Sequence, residues 1–166
     1  LPDSEKLAGI GCLAEAAEVD LPERPPLRYG PMTWDQVRTL ERRGMSFGPH
    51  TVTHPILAHT TADQGRSEIE GSWLRLQAEA ASPTPIFCYP NGTSSDYSDR
   101  EIAVLRSLGL IGAVVGTAGY AHARAFATDP DARFRVQRFA YSDDLREVRQ
   151  CASGLERANE LVRGLA

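Results

Sequence analysis

Two histidines, His50 and His54, stand four residues apart in the segment from Gly48 to Pro55. Imidazole nitrogens are good ligands for zinc and for other borderline divalent ions. In a helical turn, a spacing of four residues points both rings the same way. The pair therefore predicts two ligands of a metal site, with purely structural histidines as the alternative. Because a catalytic zinc usually takes three protein ligands and a water, a third ligand has to come from elsewhere.

A second group with possible chemistry is Tyr89-Pro90-Asn91-Gly92. Proline and Asn-Gly are the residues that tight turns require, so this group can be a turn and nothing more. The functional interpretation uses the same geometry, because a turn that exposes backbone N–H groups to a pocket can stabilise an oxyanion. Both interpretations are open at this point.

Composition limits the kinds of partner. The 166 residues fit one domain, and the net charge of -4 without a basic stripe argues against nucleic acid. The longest apolar run, from Leu108 to Val115, is far shorter than the roughly 20 residues of a membrane span. Three widely spaced cysteines indicate reduced thiols, and the first residues do not resemble a signal peptide. These observations slightly favour the cytoplasm, although the compartment is otherwise unknown.

The elements that position these groups can be read from helix-capping and apolar patterns. A helix over residues 4–19 and a proline-rich connector make up residues 1–30, and the rest of the chain forms one domain over residues 31–166. Three Ser/Thr-x-x-Glu/Gln capping boxes predict the starts of three amphipathic helices. The boxes are Thr33 with Gln36, Thr61 with Gln64, and Ser98 with Glu101.

Short apolar segments alternate with these helices. Strands are predicted near residues 45–48, 86–89, 111–115 and 134–140, followed by one helix around Leu145 and Val148 and another around Leu155 and Val162. Such alternation is typical of an α/β fold built from parallel βαβ units. Since functional residues lie at the carboxyl ends of such strands, both motifs are expected to open onto the same face.

The two motifs together resemble those of the NodB-like polysaccharide deacetylase family. His50-Thr51-Val52-Thr53-His54-Pro55 is similar to its His-Ser/Thr-x-x-His-Pro motif, and Phe87-Cys88-Tyr89-Pro90-Asn91-Gly92 is similar to the next one. The resemblance spans roughly residues 31–140 and implies a distorted (β/α)7 barrel. It further implies a hydrolase in which a divalent metal, most often zinc, activates water to remove acetyl groups from N-acetylated sugars in polysaccharides or oligosaccharides.

Site residues follow from the resemblance by position. His50 and His54 would be metal ligands, and the backbone N–H of Asn91 would hold the oxyanion, with Tyr89 and Pro90 shaping that wall. The arginine that the family often places before the second motif is absent, and Arg138 is a candidate substitute at the pocket rim.

The chain departs from the family in one respect that affects catalysis. The Thr-Phe-Asp-Asp run, which supplies the general base and the third metal ligand, is absent, and no Asp-Asp pair precedes His50. Asp143-Asp144 lies far downstream, where a helix N-terminus explains it better. The expectation is therefore the C-terminal part of a deacetylase domain whose N-terminal strands are missing. Such a fragment would bind zinc weakly, would be inactive, and could dimerise through an exposed barrel edge.

Two other functions stay open beside the deacetylase. The chain can be a non-catalytic carbohydrate-binding or assembly domain derived from the same fold, or a hydrolase of small amides or imides.

Overall fold

In the computed structural model, which describes residues 3–140, 142–155 and 158, the chain begins with helix α1 over Asp3–Ala16. This confirms the predicted first helix within a few residues. The side chains of Leu7 and Leu13 are 65% and 70% exposed, so α1 buries little apolar surface. The proline-rich connector follows without regular structure except for one 3₁₀ turn over Leu27–Tyr29.

All three predicted capping boxes are present and each begins a helix. The helices are α2 over Trp34–Glu41, α3 over Ala62–Glu79 and α4 over Asp99–Ser107. In each box the Ser or Thr hydroxyl accepts a backbone N–H of the first turn, and the Gln or Glu side chain accepts the N–H of the capping residue. Local sequence therefore sets where these helices start, because each box satisfies N–H groups that lack an intrahelical partner.

Two strands form a parallel sheet, β1 over Ile86–Cys88 and β2 over Gly112–Val114. Phe87 pairs with Ala113 in their register, and both side chains are fully buried. The predicted parallel α/β arrangement is thus present in the described part of the chain.

The predicted strands near residues 45–48 and 134–140 are wrong as regular strands. Residues 47–49 nevertheless run beside β1, because the carbonyls of Phe47 and Pro49 accept the N–H groups of Thr84 and Cys88 at 2.8 and 3.0 Å. On the far side of β2, a single parallel bridge joins Val114 to Val136. Each segment makes only a few ladder hydrogen bonds, so it extends the sheet without forming a full strand.

One hydrophobic cluster lies between the sheet and helices α3 and α4. Ile69 and Trp73 from α3 and Ile102 and Leu105 from α4 are buried in it, together with Phe87 of β1. The core therefore fixes β1, and with it the loops that begin at its carboxyl end.

After β2 the chain forms a short helix that was not predicted, α5 over Ala123–Thr128, and then α6 over Leu145–Ser153. Helix α6 confirms the prediction around Leu145 and Val148. The further helix predicted around Leu155 and Val162 lies mostly outside the described residues. Among the described helices, none combines the length and the apolar character needed to cross a membrane.

Candidate metal and oxyanion site

The two histidines lie together, although not in a helical turn. The rings of His50 and His54 have centroids 4.8 Å apart and meet edge to face at 77°. The backbone turns at Thr51 and at His54, which have left-handed φ values of 65° and 62°. The predicted i,i+4 helical geometry is therefore wrong, but the predicted proximity of the rings is right.

His50 is oriented by the strand beside it. Its Nδ1 lies 2.7 Å from the carbonyl oxygen of Cys88, the last residue of β1. Because a carbonyl only accepts, Nδ1 carries the proton and donates it, which leaves the lone pair of a neutral imidazole on Nε2. A hydrogen bond of this kind fixes ring orientation in histidines that ligate metals.

Glu68 of α3 holds the histidine loop from the other side. Its Oε2 accepts the backbone N–H groups of Val52 and Thr53 at 2.7 and 2.8 Å, and its Oε1 accepts the Thr53 hydroxyl at 2.8 Å. The Thr51 hydroxyl also accepts the N–H of His54 at 3.1 Å. The segment is therefore tied to both β1 and α3.

The Tyr89-Pro90-Asn91-Gly92 group leaves β1 as a tight turn. Asn91 and Gly92 both have left-handed φ values, 56° and 78°. Asn91 is exposed, and its backbone N–H donates to none of the described residues. The Gly92 carbonyl accepts the N–H of Gly116 at 2.9 Å, which anchors the turn to the chain after β2. Within the described part of the chain, the N–H of Asn91 is thus left unpaired at the carboxyl end of β1.

Tyr89 and Pro90 lie behind this turn and not on the surface. Tyr89 is 1% exposed, stacks on Tyr97 with centroids 4.0 Å apart, and contacts Phe87 edge to face. Its hydroxyl is buried without a hydrogen-bond partner among the described residues. Burial, with a smaller contribution from Tyr97, raises the pKa of Tyr89 well above its ordinary value. Its position is that of a core residue that supports the turn.

Arg138 is exposed and lies beside the carboxyl end of β2, where its Nε donates to the Val115 carbonyl at 3.2 Å. Burial raises the pKa of the Cys88 thiol, and the positive charge of Arg138 offsets part of this effect. Arg138 therefore lies at the carboxyl end of β2, the neighbour of the strand from which the turn leaves.

His50 and the Asn91 turn thus lie at the carboxyl end of β1, His54 lies beside His50, and Arg138 lies at the carboxyl end of β2. A third metal ligand is missing from this set, since the described residues contain no group of three or more His, Cys, Asp or Glu side chains that could hold a metal ion. The two imidazoles fit a metal, but the ligand set in the described part of the chain is incomplete.

The family follows from comparison with known sequences. The profile of the family described as "Polysaccharide deacetylase" matches residues 15–113, more than half of the chain. The chain belongs to the polysaccharide deacetylase family. This confirms the resemblance seen in the two motifs. The matched region of the chain contains His50, His54 and Asn91, whereas Arg138 lies beyond it.

A solved structure gives the same fold. The chain is similar to the Streptococcus pyogenes deacetylase PplD in complex with acetate, with 24% sequence identity and a TM-score of 0.60. The alignment covers 70% of this chain and 48% of that one, so the chain spans about half the length of PplD. No curated protein matches significantly. The parallel sheet fits this fold, and the seven-stranded barrel stays a prediction.

Glu68 contacts the histidine loop, and the sequence patterns did not predict this contact. It precedes Ile69, a residue of the apolar stripe of α3, and nothing in the pattern separates it from Glu70 two positions later. Glu70 forms an exposed pair with Arg66, a role typical of surface helices. The two glutamates differ in their contacts only in the folded protein, where the histidine loop packs on α3 and donates its hydrogen bonds to Glu68.

Proposed function

We propose that the chain supplies the paired histidines and the oxyanion donor of a metal-dependent deacetylase that hydrolyses N-acetyl groups on polysaccharides or oligosaccharides. The observation that supports this most directly is the hydrogen bond from His50 Nδ1 to the Cys88 carbonyl. It leaves Nε2 available as a ligand, with His54 beside it and an unpaired N–H in the turn that leaves the same strand.

His50 and His54 would hold the metal, and zinc suits two imidazoles. When bound, zinc lowers the pKa of a coordinated water and polarises the acetyl carbonyl. The residues of the chain then have separate tasks. Both imidazoles are neutral ligands, and the hydrogen bond to Cys88 keeps His50 in the required tautomer.

Asn91 would stabilise the negative charge that develops on the acetyl oxygen. Its backbone N–H donates to none of the described residues, and the turn is anchored by the bond between Gly92 and Gly116. A preorganised donor of this kind contributes because it needs no rearrangement during the reaction. Tyr89 and Pro90 contribute indirectly by filling the core behind the turn.

We further propose that the 166-residue chain binds zinc weakly and, without an added carboxylate in place of the base, releases acetate slowly or not at all. The sequence has no Asp-Asp pair before His50, and the described residues provide no third ligand. Metal affinity depends on the number and charge of the ligands, so two imidazoles give a weak site. The same Asp-Asp run would supply the general base that takes a proton from water, and the sequence before His50 does not contain it.

The incomplete ligand set also favours a second candidate, a non-catalytic domain that binds carbohydrate. The fold and the exposed turn would be kept in such a protein, and hydrolysis would not be needed. Hydrolysis of small amides or imides is a third candidate, which substrate profiling separates from the first.

Zinc binding tests the metal part of the proposal. Titration against a chromophoric chelator should show one site in the unaltered chain and a loss of binding in both H50A and H54A. His122 provides the matched control, because it is exposed and its side chain makes no capping hydrogen bond. Equal zinc affinity in H50A, H54A and H122A would contradict the assignment of the ligands.

Acetate release tests the catalytic part. N-acetylchitohexaose is incubated with the chain at saturating zinc, with sodium formate added as a small carboxylate in place of the missing base. We expect slow acetate release that requires zinc and formate and that disappears in H50A. Binding of the oligosaccharide without any acetate release under these conditions would refute the deacetylase and support the non-catalytic domain.

A further inference from the structure

The carboxylate of Glu68 lies on α3 and accepts three hydrogen bonds from the loop that separates the two histidines. We propose that Glu68 is a positioning residue that holds residues 51–54 in the conformation that brings the rings of His50 and His54 together. This inference rests on the proposed function, because it assigns Glu68 a role in metal affinity.

The loop needs an external constraint because its backbone conformation is unfavourable. Thr51 has a φ of 65° and His54 a φ of 62°, in the left-handed region that side-chain-bearing residues rarely adopt. For the β-branched Thr51 this is a pronounced outlier. Such conformations persist only where the surrounding structure determines them. The constraint has to act between the two residues, which is where Glu68 binds.

The geometry of the Glu68 contacts fits this task. One carboxylate oxygen accepts two consecutive N–H groups, those of Val52 and Thr53, and the other accepts the Thr53 hydroxyl. Hydrogen bonds to an ionised acceptor are about twice as strong as neutral ones. Since both oxygens are used, the carboxylate fixes the direction of the peptide planes as well as the distance of the loop from α3.

A second contact places the loop against the same helix. A Cβ added to Gly71 would lie 3.1 Å from a methyl carbon of Val52, so the loop packs over the glycine, which leaves room for it. Gly71 lies one turn after Glu68, at i+3, and therefore on the same side of α3. The loop thus contacts α3 at two positions. Glu68 accepts its hydrogen bonds, and Gly71, which has no side chain, leaves room for Val52.

The test compares Glu68 with Glu70 on the same helix. The variants are E68A, E68Q and T53V, with E70A as the control that removes an exposed pair with Arg66. Zinc affinity is measured by chelator competition, and amide hydrogen exchange of Val52 and Thr53 is measured by NMR on the metal-free protein. Thermal unfolding confirms that each variant folds.

We expect E68A to bind zinc about 10-fold more weakly, the low end of the effect of removing an outer-shell partner. T53V should lose less zinc affinity, because Glu68 still accepts the backbone N–H groups of residues 52 and 53. E70A should bind zinc with the affinity of the unaltered chain. Exchange at Val52 and Thr53 should accelerate in E68A and stay slow in E70A. Should E68A not fold, E68Q and T53V give the same comparison with smaller changes.

Unchanged zinc affinity in E68A, in a protein that loses affinity in H50A, would overturn the inference. If the unaltered chain binds no zinc, the proposed function fails, and the exchange measurement still decides the role of Glu68. In that case faster exchange at Val52 and Thr53 in E68A supports the positioning role, and unchanged exchange overturns it.

Discussion

Replacing Gly48 by alanine places a methyl group where the backbone leaves no room. The added Cβ would lie 2.2 Å from the carbonyl oxygen of Ile86, about 1 Å closer than ordinary van der Waals contact. Gly48 sits between Phe47 and Pro49, whose carbonyls accept the N–H groups of Thr84 and Cys88. The segment must therefore move away from β1, and the two hydrogen bonds that flank Gly48 must lengthen or break.

The cost can be worked from these contacts. Each backbone hydrogen bond contributes about 1 kcal/mol net, and each buried group left unpaired costs about 1–3 kcal/mol. Since partial relaxation recovers some of this, G48A should reduce the free energy of unfolding by about 3 kcal/mol. The same shift moves His50, two residues later, away from the Cys88 carbonyl. Without that bond, zinc affinity should fall by about tenfold or more.

Urea unfolding followed by circular dichroism measures the first effect, and chelator competition measures the second. G11A is the control, because Gly11 lies in helix α1 with nothing within 4 Å of an added Cβ. That change should be neutral or stabilising by up to about 1 kcal/mol. A G48A protein with the unfolding midpoint and zinc affinity of the unaltered chain would refute the close approach of residues 47–49 to β1.

Three other changes test the core and the turn. G116A should destabilise by about 3 kcal/mol or more by urea unfolding, because its Cβ would overlap the carbonyl of Asn91, and it should also displace the turn. E101A should cost about 3 kcal/mol in the same assay, because the buried Glu101 carboxylate accepts the Ser98 N–H and pairs with Arg100. Y89F removes a buried hydroxyl that has no partner among the described residues, so unfolding should show no loss or a gain of about 1 kcal/mol. Burial raises the pKa of Tyr89 in the folded state, so the unfolded state loses the phenolic proton at lower pH than the folded state does. The free energy of unfolding is therefore unaffected by this group below pH 10.0, the ordinary pKa, and falls as pH rises above it. Alkaline unfolding should therefore begin at higher pH in Y89F than in the unaltered chain.

Helix starts could be predicted because the interactions that fix them are local. Thr61 and Gln64 satisfy each other's backbone N–H groups within four residues, and the same holds for the other two boxes. Ile69 and Trp73 are four residues apart, the spacing of one face of a helix, and both are buried in the core. These features need no knowledge of the rest of the chain.

Strands were harder to predict because their pairing is not local. Within the predicted strand over residues 111–115, Gly112–Val114 form β2 because β1, some 25 residues earlier, provides the ladder. Residues 45–48 have similar apolar character, but Gly48 has to pass within contact of the Ile86 carbonyl, and the segment makes isolated hydrogen bonds only. Apolar content predicts an extended chain in residues 45–48 and in residues 111–115, but it does not distinguish the segment that forms a regular strand.

The histidine pair shows the same limit at the site. A spacing of four residues brings two rings together in a helical turn, and here it does so in a loop with two left-handed residues. The spacing is compatible with both backbones. The loop conformation is selected over the helical turn by the carboxylate of Glu68. This residue lies 15 residues after Thr53 and accepts the N–H and the hydroxyl of Thr53. A motif of this kind therefore predicts which side chains meet, whereas the geometry in which they meet depends on a residue outside the motif.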